Sequence, residues 1–423
     1  MRKMVLKKLI PLFICASILA LIPGYSETVT IRVAAYNLLK FPYSNGMKRI
    51  SAFRTVIQAI NPDVLIVEEL YSETAGKIFQ DSVLNYNDTL YARAPFTDGP
   101  DTDNLCFYKK NKLILVRTQS IPTYLRNIGK YTLTCTQPSD TFHIFAVHLK
   151  AGSEAQDKER RQWDANLLRS NYLNQLPTNS YFLVAGDFNL YTASEPAFTT
   201  LIEDQSDNDG QCFDPINKIG SWHNNAVYVQ LHTQSTRTTV IDSGASGGLD
   251  DRFDFILCSA AFLNPGGLAY IPGTYAAFGN DGLHFNSNIH SGGNRLVNDE
   301  VALALYQASD HLPVVMEFSA ELKDTSTAVE SRGTANHSFY LNPNYPNPFN
   351  GETTISISLP QQGDVSFSVF DMQGRCVMHR NYPQIAAGTQ LIRFDGSHLP
   401  SGLYCYVVQL GSIKRMGKMI IMK

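Results

Sequence analysis

Residues 62–70 read PDVLIVEEL, in which the apolar run VLIV (64–67) follows Pro62-Asp63 and meets two adjacent carboxylates, Glu68 and Glu69. Such a run, short and closed by charge, predicts a buried strand. Just before it, Ile50, Phe53, Ile57 and Ile60 fall on one face at helical spacing, and Asn61-Pro62 closes that helix. Further upstream RVAAY (32–36) predicts another strand. The alternation continues outward: YFLVAG (181–186), FDFIL (253–257) and LPVVMEF (312–318) predict buried strands. Ser153 and Gln156 predict a capping box ahead of a second amphipathic helix, with Trp163, Leu167 and Leu168 on one side and Lys158, Arg161 and Arg169 elsewhere. Residues 27–319 therefore predict a layered α/β domain.

Polar residues stand where these strands end. Asn37 follows RVAAY, Glu68 and Glu69 follow VLIV, and His148 follows FHIFAV. Asp187 and Asn189 follow LVAG, Arg252 and Asp254 open FDFIL, and Asp310 and His311 precede LPVV. Strand termini that converge from several parts of a sheet build a pocket on a rigid scaffold. Carboxylate and amide oxygens without thiolates suit a hard cation such as Mg²⁺, Mn²⁺ or Ca²⁺. Two histidines with carboxylates to orient them suit general acid and base work near neutral pH. Together they predict metal-assisted attack on a phosphate ester. Each residue has a plainer reading: a glutamate after a strand caps it, and Asp187 and Asn189 shape a turn. All the plainer readings must hold at once for the set to mean nothing.

The segments YNLL (36–39), PDVLIVEEL (62–70), AVHLKAG (146–152), GDFN (186–189), DRFD (251–254) and SDHLPV (309–314) resemble, in order, the endonuclease/exonuclease/phosphatase superfamily that includes pancreatic-type deoxyribonuclease. The resemblance implies a four-layer α/β/β/α sandwich with the site at one end. It implies that Glu69 is the principal metal ligand, with Asn37 and Asp310 completing or supporting the site. It further implies that His311 activates water, that Asp254 orients His311, and that Asp187 and Asn189 position the phosphate. His148 resembles a second histidine that assists the leaving group and points away from abasic-site repair. Two departures stand out. Glu68 occupies the place of a common glutamine, and DGPDTD (98–103) lacks a tyrosine that many family nucleases carry.

Loops between GDFN and SDH, LHTQSTR (231–237) and FGNDGLHFN (278–286), offer Arg237 and His284 as candidate substrate contacts. DQSDNDGQ (204–211) lacks the full spacing of a calcium-binding EF-hand loop and reads as a solvated turn.

Beyond the polar stretch 320–337, read as a linker, the pattern changes to period two. Ile355, Ile357 and Leu359 alternate with serines, as do Val365, Phe367 and Val369, predicting an all-β unit over 338–423. YPNPFN, SVFDMQGRCV and the basic terminal strand resemble the sorting domain of the type IX secretion system, a small immunoglobulin-like sandwich. That resemblance implies the secretion machinery as a partner. At the other end, Arg2, Lys3, Lys7 and Lys8 precede an apolar run over 9–22, which predicts a signal peptide at 1–26 and no membrane span. Export to the medium or cell surface follows. The six cysteines beyond the leader permit disulfides, although Cys258 within FDFILCS reads as a buried hydrophobe.

With 35 basic against 38 acidic residues and 44% hydrophobic content, the chain is neither disordered nor a basic nucleic-acid coat. The near balance hides unevenness: residues 27–319 carry 22 basic and 31 acidic residues, net −9. Polymer binding should then depend on a bound cation and a local basic rim. The leading expectation is a secreted, monomeric, divalent-metal-dependent nuclease acting on extracellular DNA, with RNA as a further substrate. The alternatives are a phosphodiesterase or phosphatase on lipid or sugar-phosphate head groups, and a non-catalytic surface adhesion module.

Overall fold

The structure is a computed structural model describing residues 27–137, 139–322, 340–341, 344, 347–359, 362–386, 388–411 and 413–423. The expected signal peptide, most of the expected linker, Pro343 and Pro346 lie outside these residues. Contacts divide the chain into two units, Met1–Thr325 and Ser326–Lys423.

The first unit contains two mixed sheets. In spatial order the first has Leu268–Tyr270 (β11), Val314–Glu321 (β13), Thr28–Phe41 (β1), Val64–Leu70 (β2), Asp103–Lys109 (β4) and Tyr91–Arg93 (β3), with Ala276–Ala277 (β12) pairing β13. The second has Leu113–Ile121 (β5), Ile128–Cys135 (β6), Phe142–His148 (β7), Tyr181–Asp187 (β8), Asp254–Ser259 (β10) and Cys212–Phe213 (β9). The pairs β1–β2 and β7–β8 are parallel, while the other pairs are antiparallel. The helices are Ile50–Ile60 (α1), Glu73–Phe79 (α2), Ala155–Leu168 (α3), Pro196–Ile202 (α4), Ala260–Leu263 (α5) and Asp299–Ala308 (α6).

Alternation along single strands shows how the layers are built. In β8, Leu183 and Ala185 join the core shared with the first sheet, whereas Phe182 and Val184 join a second core with Ala165, Leu168, Phe198 and Leu201 of α3 and α4. β10 repeats this, with Ile256 and Cys258 toward the first sheet and Phe255 and Leu257 toward the helices. Successive strand side chains point to opposite faces, so both faces are apolar only because both are covered. On the far side α1 and α6 pack together and contribute Phe53, Val56, Ile57, Ala304 and Leu305. The result is a four-layer α/β/β/α sandwich. Asn61, expected to close α1, adopts φ 51° and donates its N–H to Ile57 O, a left-handed helix end.

α3 departs from its expected form. Its N-cap is Glu154, without a side-chain capping bond, so Ser153 and Gln156 form no capping box. Its faces are also mixed: Leu168 is buried as expected, but Arg161 in the helix and Arg169 just beyond it are fully buried while Trp163 is exposed. Arg161 Nε and Nη2 donate to Glu195 Oε2 at 3.1 and 2.6 Å, and Nη1 donates to the carbonyls of Lys150 and Gly152 at 2.6 and 2.7 Å. Arg169 donates to Asn174 Oδ1 and Leu201 O at 2.9 and 2.8 Å. A buried guanidinium is tolerated only with its donors satisfied, and those acceptors lie on other segments that helical periodicity does not reveal.

The second unit is all-β: Tyr340–Leu341 (β14), Glu352–Leu359 (β15) and Gly388–Asp395 (β18) form one antiparallel sheet. Gly363–Phe370 (β16), Cys376–Ile385 (β17), Gly402–Leu410 (β19) and Ile413–Ile421 (β20) form the other. Ile355, Ile357, Phe367, Val369, Phe394 and Tyr406 make its core. All six described cysteines are free, and Cys258 is buried. Among the described residues no helix is long and apolar enough to cross a membrane.

Candidate active site

Backbone pairing sets three of the expected residues side by side. His148 ends β7, Asp187 ends β8 and Asp254 opens β10; the register pairs His148 with Asp187 and Asp187 with Asp254. From the first sheet, Asn37 in β1 pairs with Glu68 in β2. Glu68 stays in the ladder, and its carboxylate lies between the sheets, so close to Gly186 that an added Cβ there would meet Glu68 Oε1 at 2.8 Å. Glu69 leaves the ladder with φ 62°, at a break in the β2–β4 register. A non-glycine residue in that conformation costs about 1–3 kcal/mol and persists only where its surroundings hold it. Here Lys40 N–H donates to Glu69 Oε2 at 2.8 Å, and Asn37 Nδ2 donates to Glu69 Oε1 at 3.2 Å. Asn37 Nδ2 also reaches Asp187 Oδ2 at 3.2 Å, which ties the two sheets together at the site.

His311, just beyond α6, completes the cluster. Its Nδ1 lies 2.8 Å from Asp254 Oδ2 and its Nε2 lies 3.8 Å from Asp187 Oδ2. With Nδ1–H donating to Asp254, Nε2 is left with its lone pair. The Gln234 side-chain amide stands 2.5 Å from that nitrogen. His148 Nε2 is 3.5 Å from Asp187 Oδ2 and 4.0 Å from Glu69 Oε1. Asn189, also left-handed at φ 51°, donates its backbone N–H to Asp187 Oδ1 at 2.9 Å and its Nδ2 to Leu149 O at 3.1 Å.

Three expected residues fall outside this cluster. Asp310 turns away: Oδ2 accepts Ala245 N–H at 2.6 Å and Oδ1 lies 3.4 Å from Ser309 Oγ, so loop ordering replaces the expected contact with Asn37 and Glu69. Arg237 is fully buried, with Nη1 donating to Ile241 O at 3.1 Å and the guanidinium 5.9 Å from the Tyr306 ring centroid. His284 is buried with Nε2 3.3 Å from Asp281 Oδ1. Both are as enclosed as His148 and His311, but the contacts described for them run to their own loops and to Tyr306 rather than to the cluster. Conversely, Gln234 was passed over inside LHTQSTR, where a glutamine between Thr233 and Ser235 carries no signature. Arg126 and Arg49 were missed likewise. Arg126 donates to Leu149 O, beside His148, at 3.2 Å. Arg49 Nη1 donates to Leu38 O at 3.1 Å and Nη2 to Leu39 O at 2.6 Å, holding the end of β1.

The electrostatics follow from burial of like charges. Burial raises Asp187 to about 7, opposed by His311 and reinforced by Asp254 and Glu69. Burial likewise pushes Glu68 well above the carboxylate range, with Asp254 and Asp187 adding to it. Burial lowers His148 well below an ordinary histidine, helped by Arg126 and His311. For His311 burial acts downward too, but Asp254 and Asp187 outweigh it and hold the imidazole well above its usual range. A buried cluster this rich in carboxylate oxygen and this poor in positive charge fits a hard divalent cation. The ligating atoms of Asp187, Asp254 and His311 lie within 4.8 Å of one another. Asp254 is already committed to His311 Nδ1, so Glu69 and Asp187 are the better oxygens, and Asn37, whose Oδ1 here accepts Leu39 N–H at 2.9 Å while Nδ2 faces them, would join by reversing its amide.

A family profile described as Endonuclease/Exonuclease/phosphatase family matches residues 34–311, and one described as Secretion system C-terminal sorting domain matches residues 344–422. A search of curated proteins finds no match. Similar solved structures include truncated Caenorhabditis elegans TDP2, at 14% identity over 69% of this chain and 98% of that one, TM-score 0.45. An endonuclease/exonuclease/phosphatase family protein from Bacteroides thetaiotaomicron gives 16% identity over 71% and 98%, TM-score 0.43. ANGEL2, described as a 2′,3′-cyclic phosphatase, gives 14% over 70% and 96%, TM-score 0.40.

Proposed function

The chain belongs to the endonuclease/exonuclease/phosphatase family, and from that premise we propose that it is a secreted, divalent-metal-dependent nuclease hydrolysing phosphodiester bonds of extracellular DNA, with RNA as a further substrate. The observation that carries this reading is the His311–Asp254 contact of 2.8 Å, set beside Asp187 at the meeting point of both sheets. Residues 27–319 form the catalytic domain in this reading, and 338–423 the sorting domain. The sorting-domain match supports export by type IX machinery and a secreted or cell-surface location.

In the unprotonated form, which the neighbouring Asp254 and Asp187 shift to higher pH, His311 Nε2 takes a proton from water as its oxygen bonds to phosphorus, and Asp254 keeps the remaining imidazole proton on Nδ1. Asp187 and Asn189 set the in-line orientation of the phosphate. His148, kept neutral by burial, holds the departing ester oxygen with a hydrogen bond from Nε2–H as the phosphorus–oxygen bond breaks, and that oxygen takes its proton from solvent. A divalent cation held by Glu69, Asp187 and Asn37 would supply Lewis-acid polarisation of a phosphoryl oxygen.

The test incubates the purified protein with plasmid DNA, RNA, sphingomyelin and inositol phosphates, each with Mg²⁺, Mn²⁺, Ca²⁺ or EDTA. Nucleic-acid cleavage lost in EDTA and in His311→Ala is the expected result. Head-group release without nicking would move the assignment to lipid or sugar phosphates. Inactivity on every ester would refute an enzymatic role.

A further inference from the structure

Among the described residues five aromatic side chains are exposed: Tyr43, Tyr71, Tyr86, Tyr124 and Trp163. Tyr86 carries the Arg54 guanidinium 3.5 Å from its ring centroid, on one face. The other four fall into two groups, each joined to Arg126 through one tyrosine. Tyr43 and Tyr71, 63% and 39% exposed, meet edge to face with centroids 4.8 Å apart. Tyr71 is two residues beyond Glu69 and feels the charges of Asp101, Glu69 and Arg126. On the other side, the turn closed by Thr123 Oγ1 and Arg126 O raises Tyr124, 70% exposed, beneath Arg160, whose guanidinium is 5.0 Å from the ring centroid. Trp163, 53% exposed, follows Arg160 by three positions on α3 and shares its face. Arg126 anchors the arrangement, donating from Nε to Asp101 Oδ2 at 3.0 Å and from Nη1 to Leu149 O at 3.2 Å. It acts electrostatically on both His148 and Asp164, the neighbour of Trp163.

Packing does not account for this surface. Tryptophan is ordinarily enclosed and arginine exposed, yet α3 buries Arg161 and leaves Trp163 in solvent. The aromatic faces alternate with two guanidiniums on a unit whose residues 27–319 are net −9. That charge opposes broad adhesion to a duplex, while local arginines between flat rings match a chain of phosphates carrying unpaired bases.

We propose that Tyr43, Tyr71, Tyr124 and Trp163, with Arg126 and Arg160, form a nucleobase-stacking rim that feeds single-stranded polynucleotide into the site. The inference rests on the phosphodiesterase reading of that site and adds the form of its polymer. Bases present their flat faces to such a rim only when unpaired and unstacked; in a duplex those faces are hidden.

The chain has two tryptophans, Trp163 exposed and Trp222 fully buried, so quenchable emission reports on the rim against an internal reference. The purified full chain, made inactive by His311→Ala and kept in Mg²⁺, is titrated with oligothymidylate, with its duplex with oligoadenylate, with inorganic polyphosphate and with phosphatidylcholine vesicles, at one ionic strength. Oligothymidylate should quench Trp163, and duplex and polyphosphate should not. In anisotropy measurements with a labelled oligothymidylate, Tyr124→Ala and Trp163→Ala should each weaken binding roughly 5- to 100-fold, and Trp163→Phe should retain most of it. Equal quenching by polyphosphate or duplex, a blue shift on vesicles without a response to oligothymidylate, or unchanged affinity in Trp163→Ala would each overturn the proposal. Hydrolysis of bis(p-nitrophenyl) phosphate by the unaltered protein with Mg²⁺ tests the site separately. A chain that cleaves this diester and shows no single-strand preference refutes the rim alone.

Discussion

Asp254→Asn removes one charge and almost no volume. The β8–β10 pairing runs through backbone groups and is untouched, and Asp254 Oδ1 has no hydrogen-bond partner to lose. What changes is the 2.8 Å contact to His311 Nδ1. An asparagine amide can donate to a bare Nδ1, which moves the imidazole proton to Nε2, where a base needs its lone pair. A wrong tautomer of this kind costs about 10⁴ in kcat in a comparable aspartate–histidine pair, or about 5 kcal/mol of transition-state stabilisation. A second consequence concerns pH. Burial lowers the proton affinity of His311, and the Asp254 charge is the largest influence opposing it. Removing that charge lowers the pKa, so the unprotonated base persists to lower pH and the acidic limb of the kcat/KM profile shifts downward. The assay is hydrolysis of bis(p-nitrophenyl) phosphate across the acid and neutral range at saturating Mg²⁺, with circular dichroism to check folding. A loss smaller than about tenfold, or an acidic limb shifted upward, would refute the assignment of His311 as the oriented base.

Arg161→Ala strands Glu195 as a buried, unpaired charge and should cost about 3–5 kcal/mol, read as a fall of about 6–20 °C in unfolding temperature. Adding Glu195→Gln should recover part of that loss, and a destabilisation below about 1 kcal/mol would contradict the burial argument. Leu183→Ala opens a hole between the sheets and should destabilise by about 2–5 kcal/mol in urea titration, with a near-neutral result arguing against a tightly packed inter-sheet core. Mg²⁺ or Mn²⁺ should raise the unfolding temperature by neutralising the buried carboxylates, worth about 2.7 kcal/mol at a hundredfold excess over Kd. Glu69→Gln should remove that shift; an unchanged temperature in the unaltered protein would remove the cation from the site.

Legibility differed from residue to residue for physical reasons. PDVLIVEEL announced its strand because an apolar run of that length between a proline and two carboxylates has few other uses. Strand register then brought His148, Asp187 and Asp254 together with no further instruction, since paired strands that end at one level must present their end residues side by side. Asp310 was legible as a neighbour of the site but not in its orientation, which depends on the N–H of Ala245, 65 positions away. Arg237 and His284 looked exposed because their loops are polar, and only packing encloses them.

By itself, then, the amino-acid sequence determined the layers, the order of strand-end residues and the oxygen-rich chemistry of the pocket, because periodicity and side-chain type are local properties. The tertiary structure alone decided what each long or charged side chain meets. It buried Arg161 against Glu195, placed Gln234 on His311, and set Trp163 in solvent. Partners that lie far apart along the chain leave no period to read.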